Sequence, residues 1–223
     1  MKSVEIMISE TVAGLAKTYG EKIIDHVLVY SSCHILDTAF HILGPLQPVR
    51  IYGFNEPGYS RPFRSLAGLL ETDQGAPVFL TIMADNPAPV GLRIFFDDQS
   101  TWHLSPLERL VAYREYDLIE PTPEVKIRRY TPKPFLEINE DAEFKPGFLG
   151  QMRAFTAGKG RHISATPEEN LELLRLIETV QRLAGGLGPA PSIRHGSSPS
   201  RDVTATVSGD LSVRSGNTND AGS

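Results

Sequence analysis

Between residues 65 and 114 the chain carries five strand signals in close succession, and no other feature restricts the fold as much. Segments 65–72, 77–84, 90–96, 100–104 and 108–114 are rich in aliphatic, aromatic and β-branched residues, with breaks at 73–75, 85–89 and 97–99. Such short connections make successive strands antiparallel, because a parallel pair needs a crossover of a dozen or more residues. The block therefore predicts an antiparallel meander. Two of its strands are apolar on both faces: Val78, Leu80 and Ile82 oppose Phe79 and Met83, while Leu92, Ile94 and Phe96 oppose Phe95. A sheet with one solvated face alternates more cleanly, so the second face is expected to be covered, by another subunit or another domain.

The segments around this block complete the frame. Residues 2–8 alternate Val4, Ile6 and Ile8 against Ser3, Glu5 and Met7, which predicts an opening strand with one better-buried face. Residues 9–20 mix small and polar side chains and read as a strand extension with a crossing loop. From about 25 to 43 the apolar residues Leu28, Ile35, Leu36, Ala39, Ile42 and Leu43 recur at helical spacing, and Gly44-Pro45 supplies the stop. Residues 48–54 read as a strand. The stretch 117–143 is charged and punctuated by Pro121, Pro123, Pro132 and Pro134, and predicts an irregular excursion with one short edge strand at 124–130. Pro146 opens a helix with Phe148, Leu149, Met152 and Phe155 on its apolar face, ending at Gly158. A last helix follows, with Thr166 as N-cap, Pro167 at its first position and Glu169 closing a capping box. Its apolar residues are Leu173, Leu174, Ile177, Val180, Leu183 and Ala184. Together these elements predict an α+β domain over 1–185: an open, mostly antiparallel β-sheet with helices packed on one face. Residues 186–223 are rich in Gly, Ser, Thr, Asp and Asn, too poor in apolar surface to offset ordering, and are expected to form a disordered tail.

Composition excludes several functions. The net charge of −5, with no dense Lys/Arg block, lacks the basic footprint of a nucleic-acid binder. No apolar run approaches the roughly 20 residues of a membrane-spanning helix, and the N-terminus is too short and charged for a signal sequence, so a cytoplasmic location is expected. A single cysteine, Cys33, can form neither an internal disulfide nor a cysteine-based metal cluster. Glycine-rich nucleotide fingerprints, P-loops, G-x-S-x-G elbows and H-E-x-x-H motifs are all absent from the sequence.

The chemistry-bearing stretch is 26–44, HVLVYSSCHILDTAFHILG. His34 and Asp37 lie three apart, hence on one helix face, where a carboxylate can orient an imidazole for proton transfer. The same spacing also fits an ordinary helix histidine with an acidic neighbour or cap. Cys33 points about 100° away from His34 on a helix and reads as a buried structural cysteine. His41, seven residues after His34, shares its face but has no acidic partners at metal-ligand spacing. Trp102-His103 and Tyr113-Tyr116 read as strand packing rather than a ligand platform.

The stretch 26–44, followed by PVRIYGF, resembles the helix and strand of the Gfo/Idh/MocA family of NAD(P)-dependent oxidoreductases, written D-x-x-x-H-x-x-D with an apolar run ending in L-G. The segment 144–186, FKPGFLGQMRAFTAGKGRHISATPEENLELLRLIETVQRLAGG, resembles the same family's C-terminal pair of helices. The resemblance spans about 1–185 and implies the family's C-terminal domain, which closes over a sugar, inositol or sugar-derived substrate and commonly dimerises through its sheet. By position, His34 matches the catalytic histidine and Asp37 the acidic residue after it, a substrate-contacting or orienting group. Two departures accompany the match. The family's N-terminal Rossmann domain, with its glycine fingerprint and E-K-P lysine, does not precede the opening strand, and Phe144-Lys145-Pro146 does not replace that lysine. Tyr30 stands where the motif has its first aspartate, and its reference pKa near 10 makes it a poor base. The resemblance thus implies a substrate-binding and dimerisation domain that binds no cofactor alone, takes NAD(P) only with a partner Rossmann chain, and is not competent by itself. A non-catalytic sensor or regulatory module of the same descent is the alternative.

Overall fold

The computed structural model describes residues 1–55, 64–139, 147–158 and 166–185; all of them fall within one compact unit, Met1–Ala190. The expected tail at 186–223 lies outside the described residues, as does Pro146. The strands are β1 (Ser3–Glu10), β2 (Leu46–Asn55), β3 (Arg64–Thr72), β4 (Pro77–Ala84), β5 (Gly91–Phe95), β6 (Thr101–Leu104), β7 (Arg109–Ile119) and β8 (Arg129–Asn139). They form one open eight-stranded sheet in the order β2-β3-β4-β1-β5-β6-β7-β8. All its pairings are antiparallel except β1 with β4.

That one parallel pairing corrects the simple meander. β1 slots between β4 and β5, splitting what sequence spacing reads as neighbouring strands. Val4, Ile6 and Ile8 then lie in register with Val78, Leu80 and Ile82, while Val4 and Ile6 meet Ile94 and Leu92 on the other side. These side chains are essentially inaccessible and form the floor of the core. The insertion pairs the backbone of β1 on both sides and gives its buried residues two apolar neighbours.

The helices α1 (Val12–Tyr19), α2 (Cys33–Leu43), α3 (Phe148–Thr156) and α4 (Pro167–Ala184) complete the fold. Ile35, Leu36, Ala39 and Phe40 of α2, with Leu173, Leu176, Ile177 and Val180 of α4, pack on the same sheet face as Val4, Ile6 and Ile8. Thr166 accepts from the Glu169 N–H, and the Glu169 carboxylate accepts from the Thr166 N–H, forming the predicted capping box. Gly53 of β2 lies so close to the end of α4 that a Cβ there would sit 2.2 Å from the Ala184 carbonyl oxygen.

Several sequence expectations change. Residues 9–20 hold the end of β1 and then α1, whose Ala13 N–H is capped by the Asp85 carboxylate at 3.2 and 3.3 Å. The helix expected over 25–43 is a coil of changing pitch: a 3-10 turn at Glu21–His26, one π turn at Leu28–Ser32, then α2. Gly44 ends it with φ +78, where a side chain would be strained. Of the excursion expected at 117–143, residues 120–128 are irregular, 117–119 continue β7, and the edge strand expected at 124–130 lies instead at β8; 140–143 fall outside the described residues. Pro132 and Pro134 fit because β8 is the outer edge, where a missing N–H costs no ladder bond. In α3 only Ala154 is buried, and Phe148, Met152 and Phe155 stay exposed. In α4 Leu176 is buried along with Leu173, Ile177 and Val180, while Leu174 is exposed.

The sheet face away from α2 and α4 has no cover among the described residues. Phe79 is 52% exposed, Tyr52 49% and Phe54 51%, all on the β2-β3-β4 half. The β5-β6-β7 half of that face is polar, with Arg93 opposite His103 and His103 opposite Val111.

Candidate functional site

The site grows from the carboxyl end of the parallel pair. Residues 4, 6, 8 and 10 of β1 share the buried face, and Glu10 is the last of them, 5% exposed. A carboxyl group there is costly unless hydrogen-bonded. Ser32, wholly buried in the π turn, donates its hydroxyl to Glu10 Oε1 at 2.5 Å. The π turn places one extra residue before α2, and this brings Ser32 inward while Cys33 and His34 start the α-helix. At the same strand ends, the Asp85 N–H donates to the Glu10 carbonyl at 2.7 Å and the Ser9 hydroxyl to the Asn86 carbonyl. Asp85 takes a left-handed φ of +51 to do so.

The sequence-derived site residues all lie on this coil. His34 is exposed in the first turn of α2, and Thr38 Oγ1 donates to its carbonyl at 2.9 Å. Asp37 is half-buried one turn on. Cys33, also half-buried, shares its surroundings: burial first, then the Asp37 carboxylate, then Glu10 push its thiol above the ordinary range. The thiol is therefore protonated at neutral pH and a poor nucleophile. Tyr30 sits in the π turn with its ring tilted against Tyr19, centroids 5.2 Å apart. A hydrogen bond with the Tyr19 hydroxyl, first, and then desolvation raise the Tyr30 hydroxyl above its usual pKa. Tyr30 thus keeps its proton at neutral pH, a hydrogen-bonding hydroxyl rather than a base. Trp102 packs on Phe96 at 5.2 Å, and His41 is exposed at the far end of α2. Among the described residues no group of three His, Cys, Asp or Glu side chains could hold a metal ion.

Glu10 and Ser32 are what sequence reasoning missed. The signal was the alternation itself: continued by one step, it buries Glu10 and calls for a donor.

The one parallel pair ends on Glu10 and Asp85, both carboxyl-bearing, and the Ala13 N–H at the start of α1 is taken by the Asp85 carboxylate.

An open, mostly antiparallel sheet with helices on one face is a fold shared with solved structures of oxidoreductases. The solved structures it matches include UDP-N-acetylglucosamine 3-dehydrogenase GnnA from Acidithiobacillus ferrooxidans, with a TM-score of 0.56 at 12% identity, covering 83% of this chain and 54% of that one. A protein assigned as an NADPH-dependent oxidoreductase from Desulfitobacterium hafniense gives 0.52 at 14% identity, over 83% and 55%. One assigned as an oxidoreductase from Yersinia pestis gives 0.55 at 13%, over 87% and 58%. The chain spans a little over half the length of these structures. No family model matches it, and no curated protein does. No helix among the described residues is long and apolar enough to cross a membrane.

Proposed function

We propose that the chain is the substrate-side domain of an NAD(P)-dependent oxidoreductase of the Gfo/Idh/MocA type, acting on a sugar or polyol, with the nucleotide held by a separate Rossmann domain. The observation that carries this reading is the placement of His34 in the first turn of α2, beside the strand ends, on a fold found within oxidoreductases. His34 serves as proton acceptor or donor at a carbinol or carbonyl carbon. Asp37 orients it or contacts the substrate, and Tyr30 stands in the family aspartate's place as a donor. The acidic strand ends support assigning the cofactor to another chain. A second copy packs on the uncovered β2-β3-β4 face.

The test supplies the intact chain with a Rossmann-domain chain encoded beside it and follows NAD(P)H absorbance with sugar and polyol substrates. Turnover only in the mixture, falling by about 100-fold or more in His34→Ala, is expected for lost acid–base catalysis. Tight NAD(P)H binding by the isolated chain in calorimetry would sink the divided assignment. The second reading, a non-catalytic sensor, is favoured by the raised hydroxyl of Tyr30 at the aspartate position. It predicts ligand binding without turnover in parent and His34→Ala alike.

A further inference from the structure

A second polar concavity lies on the opposite side of the sheet from α2. It is a groove of about 360 Å³ on the uncovered face, between β5, β6 and the overhanging ends of β7 and β8. Arg93, Thr101, His103, Tyr113, Glu115 and Tyr116 line it. Register places His103 between Arg93 and Val111, in the row that contains Glu5 and Phe79 rather than the core row of Ile6 and Leu80. The volume is at the small end of the range for ligand sites.

Its chemistry is specific. The groove is rich in guanidinium groups, yet each nearby one is already answered: Arg93 by Glu5 at 2.9 Å, Arg109 by Glu137 at 2.7 Å and Arg114 by Asp98 at 3.0 Å. With charge balanced locally, an anion gains little over water. Hydroxyl, imidazole, carboxylate and guanidinium groups beside two tyrosine rings instead present donors, acceptors and flat apolar surface together. Half-burial, then Arg93 and Arg109, hold the His103 imidazole below its usual pKa, so at neutral pH it carries one donor and one acceptor nitrogen.

We propose that this groove binds a neutral polyhydroxylated ring, a monosaccharide or cyclic polyol. Its hydroxyls are met by Thr101, His103 and Glu115, and its C–H edges by Tyr113 and Tyr116. This site is distinct from the His34 site, because the sheet lies between them.

The experiment is a two-dimensional amide NMR titration of the full chain with D-glucose, with myo-inositol and, separately, with inorganic phosphate. Saturable shifts at 93–116 with a sugar or polyol, weakened about tenfold in both Tyr113→Ala and His103→Gln, are expected. If Tyr113→Ala loses its folded spectrum, His103→Gln and Thr101→Val decide. Shifts confined to 30–37 would overturn the groove while leaving the proposed function standing; shifts at 93–116 alone would keep the groove without supporting His34. Absence of any saturable sugar shift, or groove shifts with phosphate only, would also overturn it.

Discussion

Glu10 shows how one residue can determine the geometry of a neighbouring element. Its carboxyl group belongs to the buried face of β1, and the Ser32 hydroxyl is its donor from the helical coil. Removing that hydroxyl leaves a buried acceptor short of a partner, at a cost of about 1–3 kcal/mol. Ser32→Ala is therefore expected to lower the unfolding free energy by that much, read as a lower urea midpoint with an unchanged m-value. Glu10→Gln, which keeps an oxygen for Ser32, is expected to cost less. A Ser32→Ala protein as stable as the parent would show that the bond contributes nothing. Glu10 was legible in retrospect, because the period-2 pattern of β1 runs on to it. Its donor was not, since the pairing depends on a π turn that no helical spacing announces.

At the scale of elements, what could be read was what is locally encoded. β4 occupies the predicted 77–84, and α4 carries its cap, first-turn proline and apolar stripe within its own sequence. α1 could not be read this way: only Val12 is buried in it, and its N–H cap comes from Asp85, 72 positions away. β8 was hidden by its prolines, which are tolerated only because it lies at the sheet edge, a fact of topology. The β1 insertion between β4 and β5 was hidden for the same reason. One element contact makes a sharp prediction. The end of α4 rests on β2 through the missing side chain of Gly53, where a Cβ would sit 2.2 Å from the Ala184 carbonyl oxygen and 2.9 Å from its carbon. Backbone rather than a flexible side chain is in the way, so the helix end must move. Gly53→Ala is expected to destabilise by about 1–3 kcal/mol in chemical denaturation. Faster hydrogen exchange should appear in the last turn of α4 and not in α2. A neutral substitution would mean that the end of α4 yields freely.

For the whole molecule, the two sheet faces divide the labour. One is covered by α2 and α4 over the β1 to β5 part and carries His34 at its rim. The other splits into a polar half, holding the groove, and an apolar half on β2, β3 and β4. Tyr52, Phe54 and Phe79 are each about half exposed there, on one face, with Tyr52 paired to Ala67 on β3 and Phe79 to Leu69. Single exposed apolar residues are ordinary, but several large ones on one sheet face favour association. The doubly apolar pattern of β4 had already implied a cover, without identifying it. A second copy packed on this half would cover Phe79, which is 52% exposed. The protein is accordingly expected to sediment as a dimer at micromolar concentration. Phe79→Glu would place a charge in each copy's apolar half and shift the mass to that of a monomer, with the thermal midpoint of the monomer unit nearly retained because residue 79 lies outside the core. A monomeric parent, or a Phe79→Glu dimer, would assign the cover of this face to a different chain.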